Sequence, residues 1–482
     1  MMMNYIGLIS CVGLLAIPAW AGSSMKVNSK PNVLMIAIDD LNDWVGFMDG
    51  HPNTKTPHMD RLAAQGTIFM NAHTAAPHCG PSRTALMSGL RPSTTGIYAH
   101  VFDEDLEKTP AGQGIYLSNW FENNGYKTMG KGKIFHHWAP EGAFQEFDGT
   151  REAPRFGPKP EKRFTWDTIG TGTDWGVYPE RDEDLPDFKT AEWAVERLKQ
   201  KHDEPFFMAV GFVLPHVPWY APQKWFDLHP LEEIETPPYL KGDQDDVPPM
   251  ARKIAEMLHM PTADWAKESG EWKHIVQAYL ATVSMVDHCV GMVLDELERS
   301  GYAENTVVVL WSDHGYHLGE KNRFAKQSLW ERATRMPMIF TAPEFKGGQS
   351  TDGPASLMDL YPTLLELCGL PANPKNEGVS LVPLMRDPKA KWNHNAITTY
   401  GENNHAVRSQ RYRYIRYEDG SEELYDCLKD PNEWKNLADN LEYEEIKKEL
   451  AKSLPKINTP WSQHTYLRCN DYFTGKSPEV QK

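Results

Sequence analysis

The chain predicts an α/β protein: a large, mostly parallel central sheet flanked by helices, with a smaller C-terminal subdomain carrying an antiparallel sheet. Three observations support this. Apolar, β-branched runs at 33–38, 206–213, 307–311 and 338–340 have the continuous character of strands buried on both faces. Helical periodicity separates them, at 190–200 and 275–300. Past residue 395 the pattern changes to short segments at 396–400, 406–417 and 423–426, followed by a helix over 443–454. These shifts divide the chain into a leader at 1–21, a main unit at 22–390 and a C-terminal subdomain at 391–482.

The leader is an apolar stretch at 6–17 followed by Pro18-Ala19-Trp20-Ala21, the small-x-small pattern of a signal-peptidase site. It predicts export, to a periplasm or the medium. The region before the apolar stretch has no Lys or Arg, and Leu8-Ile9-Ser10-Cys11 has a lipobox-like look. Because the apolar run continues past Cys11, a lipid anchor is the second reading. No later run is expected to cross a membrane, so stable membrane insertion is not predicted.

The first strand ends in the paired carboxylates Asp39 and Asp40, and the strand at 307–311 leads to Asp313 and His314. Ligand sites in open α/β sheets lie at such strand ends. Adjacent carboxylates repel, so the pair is either a solvated turn or one side of a cation site. A short helical segment at 56–66 leads toward Cys79-Gly80-Pro81-Ser82-Arg83, a thiol in a polar turn at the mouth of a helix. Helix N-termini favour an anion or developing negative charge. Downstream, Lys133 and His136 stand three apart. Lys131 offers a second register, and Lys133 is preferred because it aligns with His136. His216 closes the strand at 206–213 within Pro215-His216-Val217-Pro218, where the prolines fix the backbone around the imidazole. Lys326 follows Asp313 in a polar segment.

Cys-x-Pro-Ser-Arg followed by Leu86-Met87-Ser88-Gly89 resembles the activation signature of type I, formylglycine-dependent sulfatases, and the other elements fall in that family's order across most of the chain. The likeness is nearest to iduronate-2-sulfatase-type enzymes and bacterial polysaccharide sulfatases. It implies the alkaline-phosphatase-like sulfatase fold and an enzyme that hydrolyses sulfate esters of a saccharide, with ulvan, carrageenan, fucoidan and glycosaminoglycan fragments all open. By resemblance, a maturation enzyme oxidises Cys79 to formylglycine (3-oxoalanine), whose hydrate attacks sulfur and then expels sulfate. Residues Asp39, Asp40, Asp313 and His314, with residue 79, would hold the metal. Oxygen-rich ligation suggests Ca²⁺ rather than zinc, and His314 is either a ligand or a supporting group. Arg83 would hold the formylglycine hydroxyl, Lys133 and Lys326 would neutralise sulfate, His136 would bond the gem-diol, and His216 would protonate the leaving alcohol.

The formal charge of −16 argues against nucleic acid as a partner. A sulfated glycan would need a local basic pocket, for which Arg323, His405, Arg408, Arg411 and Arg413 are candidates, although 408–417 is more simply a strand with a solvated face. The irregular stretch at 139–185 is expected to form the substrate rim, where Trp138, Trp166 and Trp175 either stack on sugars or pack. Of the six cysteines, Cys289 and Cys368 are expected as packed thiols and Cys427 with Cys469 as the more plausible bridge. Two alternatives stand beside the sulfatase reading: a phosphate or phosphonate ester hydrolase, and a non-catalytic sulfated-glycan-binding protein.

Overall fold

The computed structural model describes residues 30–137, 139–149, 156–166, 172–256 and 260–466. The expected leader, Trp138 and Cys469 lie outside them. Eight strands form the central sheet: β1 (Asn32–Ile38), β2 (Thr67–Phe69), β3 (Lys127–Gly132), β4 (Glu146–Asp148), β5 (Phe206–Phe212), β6 (Thr306–Ser312), β7 (Met338–Thr341) and β8 (Gln349–Thr351). Their order across the sheet is β8-β2-β7-β6-β1-β5-β3-β4. Only β7 runs antiparallel to its neighbours, so the sheet is mixed and mostly parallel.

β1 lies at the middle, parallel to both β5 and β6, and all seven of its residues are buried. Leu34, Ile36 and Ile38 pack into one hydrophobic core, and Val33, Met35 and Ala37 into the other. That explains the unbroken apolar run: the period-2 alternation of a strand is invisible when both faces are covered. Helices α1 (Cys79–Ser88) and α2 (Pro186–Leu198) and the long α3 (Trp272–Arg299) supply much of the cover. By length and composition α3 would suffice to cross a membrane, which the sequence reading overlooked; here it is a core helix, mostly buried.

A second sheet is fully antiparallel, β9 (Ala396–Thr399), β10 (His405–Arg408), β11 (Tyr412–Arg416) and β12 (Glu422–Asp426). It docks against the segment that leads into α1, where Thr399 N–H donates to Ala75 O and the Thr398 hydroxyl to Thr74 O. Residues 459–466 return to the same region, with Thr459 N–H bonded to Ser93 O and Tyr466 N–H to His100 O.

Residues 127–132 form β3, and glycine allows the close strand packing there: a Cβ on Gly130 would meet Phe147, Ala209 and Phe144. One sequence expectation changes. The stretch at 139–185 is less irregular than expected, since it contributes β4 and the strand Trp175–Val177, which pairs with Trp219–Ala221. Trp175 is buried and Trp166 packs edge-on against Trp265 at 4.9 Å, so both serve as packing.

Candidate active site

The carboxyl ends of β1, β3, β5 and β6 converge, and each delivers a polar group just past its last residue. After β1, Asp40 adopts a left-handed conformation (φ 61°). The turn is held by side chains that the sequence separates widely: Asp40 N–H donates to Asp313 Oδ1 at 3.1 Å, and the Tyr279 hydroxyl, from α3, donates to Asp40 O at 2.9 Å. Ser312 Oγ accepts from Leu41 N–H and donates to His314 O, tying the ends of β1 and β6 together.

Cys79 is the first residue of α1 and is buried. Its Sγ lies 3.1 Å from Lys326 Nζ, 3.3 Å from His314 Nε2 and 3.8 Å from Asp40 Oδ1. Ser82, one turn on, and Thr74, ahead of the helix, both donate to Asp313 O at 2.6 Å. Arg83 is fully buried; its Nε donates to Asp313 Oδ2 at 2.8 Å, Nη2 approaches Asp39 Oδ1 at 3.5 Å, and Nη1 donates to the Lys133 carbonyl. Its guanidinium also covers the Trp311 ring. So rigid a fork requires a planar cation, which lysine is not.

Lys133 follows Gly132, whose φ of 81° only glycine adopts without strain. A Cβ on the facing Gly211 would collide with the Lys133 backbone at 2.3 Å, so this crossing needs glycine on both strands. Lys133 Nζ donates to Asp39 Oδ2, while Lys131 reaches Asp148 at the far side of the sheet. Lys326 Nζ lies 2.5 Å from Asp40 Oδ1. His216 directs Nδ1 to the Val217 carbonyl at 2.6 Å and Nε2 toward Asp40 Oδ2 at 4.0 Å. Phe156, from the rim stretch, stacks on its ring at 4.9 Å.

His136 lines the same wall, in a ring cluster the sequence did not foretell: His100 stacks on His136 at 3.4 Å between centroids, and His78, the residue before Cys79, meets the His100 ring at 3.9 Å, tilted by 34°. A Cβ on Gly80 would strike His100 Nδ1, which explains the glycine in the Cys79 motif. Asp187 is a second unforeseen contributor. Its carboxylate accepts Val213 and Leu214 N–H, each at 2.8 Å, and so fixes the segment presenting His216. No sequence signal links Asp187 to a strand end 26 residues away.

Burial works to raise the Asp39 carboxyl, but Lys133, Arg83 and Lys326 outweigh it and hold the group well below the usual carboxylate range. Asp40 goes the other way: burial, with the Asp39 and Asp313 charges, raises it despite Lys326. Burial and the nearby Lys326 hold His216 well below its ordinary value, so its ring is neutral here. Burial pushes the Cys79 thiol up to about 12, far from the depressed values of nucleophilic cysteines.

Could this cluster take a cation? Ligand atoms of Asp39, Asp40, Cys79 and His314 all lie within 4.8 Å of one another. Asp40 Oδ2 is fully buried and has no hydrogen-bond donor. An unpartnered, buried carboxylate oxygen is costly, and a hard cation satisfies it. The donor set fits such an ion.

A family model described as Sulfatase matches residues 31–370. The chain belongs to the sulfatase family. A second model, N-sulphoglucosamine sulphohydrolase, C-terminal, matches residues 319–459. The chain is 50% identical over 464 residues to a sulfatase of Formosa agariphila, covering 93% of this chain and 91% of that one. It is 30% identical over 392 residues to the iduronate 2-sulfatase of Mus musculus, covering 71% of this chain and 70% of that one. Among solved structures, a 2-O GAG sulfatase superposes with a TM-score of 0.65 at 25% identity, covering 93% of each chain. This sulfatase therefore has the alkaline-phosphatase-like fold and is a sulfuric ester hydrolase. The phosphate-hydrolase and pure binding readings give way to it.

Of the residues singled out from the sequence, the structure of this sulfatase brings Asp39, Asp40, Cys79, Arg83, Lys133, His216, Asp313, His314 and Lys326 into one cluster, with His136 along its wall. Two rim candidates are corrected. His405 Nδ1 is hydrogen-bonded to the Thr399 hydroxyl and Arg408 is paired with Glu331, so each already has a partner within the fold. The stretch 408–417 is the end of β10, a turn and β11 rather than one strand, and it has no solvated face at Arg413 in β11, which is fully buried on Glu331 and Glu433. Alternation misled here because loop 329–331 covers the side that would otherwise meet water. Arg411 is paired with Asp426.

Proposed function

We propose that this sulfatase hydrolyses sulfate esters of a saccharide through a formylglycine derived from Cys79, with a calcium ion at Asp39, Asp40, Asp313 and His314. The observation that carries this reading is the ring of cations around the Cys79 sulfur: Lys326 at 3.1 Å, with Arg83 and Lys133 on the carboxylates just beyond. So much positive charge beside a thiol held at about 12 suits an incoming anion, not a thiolate nucleophile. Oxidation of residue 79 supplies the missing nucleophile. One hydroxyl of the hydrated aldehyde attacks sulfur as the S–O ester bond breaks, and the other, on losing its proton, expels sulfate and restores the aldehyde.

The bound ion would neutralise sulfate charge and polarise the group under attack. The protein's own residues do the rest. Lys133 and Lys326 exchange carboxylate partners for sulfate oxygens. His216 Nδ1 is fixed on the Val217 carbonyl, leaving Nε2 to hold the proton that the departing alcohol needs. Because Lys326 and Lys133 now oppose a charge on His216, an anion that engages those lysines raises its proton affinity when it is required. Arg83, pinned on Asp313, keeps residue 79 and the metal-binding carboxylates in register.

A saccharide substrate is supported by the names of relatives, which include an ulvan-active sulfatase and a delta 4,5-hexuronate-2-O-sulfatase. We also place the enzyme outside the cytoplasm, from the leader pattern at 1–21, with a formylglycine-generating enzyme as its maturation partner. The test is sulfate release from a panel of ulvan, carrageenan, fucoidan and glycosaminoglycan oligosaccharides after co-expression with a maturation enzyme. Release from at least one, lost on removing calcium and restored by adding it, is the expected result. Release from aryl sulfates alone would contradict the saccharide assignment.

A further inference from the structure

Among the described residues, four arginines are almost completely buried: Arg83, Arg323, Arg408 and Arg413. Three of them meet carboxylates, Arg83 at Asp39 and Asp313, Arg408 at Glu331, and Arg413 at Glu331 and Glu433. Arg323 meets none among the described residues. Its Nε and Nη1 are buried without a hydrogen-bond partner, and the groups whose charge bears on it are the phenols of Tyr400 and Tyr316. Burial pulls its pKa down to about 10, so it still carries its charge at neutral pH. An unpaired buried cation is unfavourable for folding, and a fold that keeps one has another use for it.

Its location indicates that use. Arg323 shares a segment with Lys326, whose Nζ is 3.1 Å from Cys79 Sγ. Tyr400 follows β9, and its ring meets His78 edge-on at 6.2 Å, next to Cys79. Arg323 thus stands at the seam between the catalytic sheet and the C-terminal sheet, beside the reacting centre. It is Lys326, and not Arg323, that contacts Asp40 and the Cys79 sulfur, at 2.5 Å and 3.1 Å. An anion on Arg323 is therefore a different group from the ester being cleaved.

We propose that Arg323 is the base of a second anion subsite, taking a carboxylate or a further sulfate of the same saccharide whose ester is cleaved at residue 79. The planar guanidinium fork matches either group in a bidentate manner. The proposal rests on the saccharide reading above and narrows it to substrates with a second anionic group.

Three saccharides with the same ring and the same scissile sulfate test it: one with a hexuronate carboxylate, one with that carboxylate reduced to hydroxymethyl, and one with the hydroxymethyl sulfated. Wild type is expected to prefer one of the two anionic forms by at least about ten-fold in kcat/KM, chiefly through KM, and Arg323→Gln to reduce the preference to about two-fold or less. Which anionic form wins identifies the group. A preference that survives Arg323→Gln, or its absence in wild type, overturns the proposal. Stability provides a readout independent of turnover. Removing an unpaired buried charge should raise the unfolding midpoint in Arg323→Gln or Arg323→Met, whereas Arg413→Gln should lower it. If both Arg323 variants are destabilised as much as Arg413→Gln, the side chain is structural and the subsite fails. If wild type cleaves none of the three, the saccharide reading fails; the subsite then stands only if free hexuronate raises the wild-type midpoint and not that of Arg323→Gln.

Discussion

Two buried groups of carboxylates in this protein each enclose a cysteine, and they differ in how their charge is balanced. Around Cys427, Glu331 receives Arg408 Nε at 3.1 Å and Arg413 Nη2, while Glu433 has Arg413 Nε at 2.7 Å and accepts Glu331 N–H at 2.7 Å. This group is closed, and it fastens the antiparallel sheet to the segment after Lys326. Around Cys79, Asp39, Asp40 and Asp313 share Arg83, Lys133 and Lys326, but Asp40 Oδ2 faces no donor, and Lys326 divides its attention between Asp40 and the sulfur. This group is open. The same residue types therefore serve cohesion at one place and chemistry at the other: Glu433 Oε1 makes no hydrogen bond but has Arg413 Nε 2.7 Å away, whereas Asp40 Oδ2 has only the His216 ring, at 4.0 Å.

That contrast makes its sharpest prediction at the cysteines. Cys79→Ala is expected to abolish turnover, by about four orders of magnitude or more, with little change in unfolding midpoint. Cys427→Ala should leave kcat near wild type and cost about 1–2 kcal/mol of stability through the small cavity it opens. Kinetics and denaturant unfolding on the same preparations check both. Comparable activity losses in the two variants would erase the distinction.

The carboxylates should divide in the same way. Asp40→Asn is expected to lower kcat/KM by about 10³-fold and to remove the rise in unfolding midpoint that added calcium is expected to give the wild type. Glu331→Gln should instead cost about 3–5 kcal/mol, because it strands Arg408 and leaves Arg413 with Glu433 alone, while any calcium response is expected to persist. A smaller effect is expected at His216. His216→Ala should slow sugar sulfates by about 10²-fold and activated aryl sulfates much less, since a good leaving group needs no proton. Equal losses on both would remove the general-acid role.

The smallest expected effect is a pH dependence within the closed group. Burial raises Glu433 to about 7 from an ordinary value of 4.5, against the pull of Arg413. A carboxyl whose folded pKa is the higher one stabilises fully below its unfolded value, and that contribution is lost as pH rises through the folded value. Between pH 6 and 8 the wild type should therefore lose stability relative to Glu433→Gln, with a slope of at most about 1.4 kcal/mol per pH unit. Parallel unfolding curves for the two proteins would show that Glu433 is ionised throughout.

Much of the open site was legible in sequence because each of its strands runs into it and stops. Apolar β-branched runs point to buried parallel strands, and the polar residues that follow them, Asp39 and Asp313 directly and His216 four residues on, fall where such sheets place their ligands. What stayed hidden depends on distance along the chain. Asp187 acts on Val213 and Leu214, and Tyr279 on Asp40, through contacts that no local pattern encodes. The His78–His100–His136 cluster is assembled from three separate segments. Arg408 and Arg413 were misjudged for a related reason, since whether a strand's charged face is solvated depends on what other loops later cover it. Arg323 shows the converse, a charge whose meaning lies in the partner it lacks, which only the three-dimensional arrangement reveals.

The formylglycine assignment is tested most directly by peptide mass spectrometry of residue 79 in protein made with a maturation enzyme. The account predicts a Cys79 peptide whose thiol has become an aldehyde, trapped by a carbonyl-reactive hydrazide, with sulfatase activity proportional to the converted fraction. A fully active enzyme whose Cys79 peptide retains an unmodified thiol would contradict it.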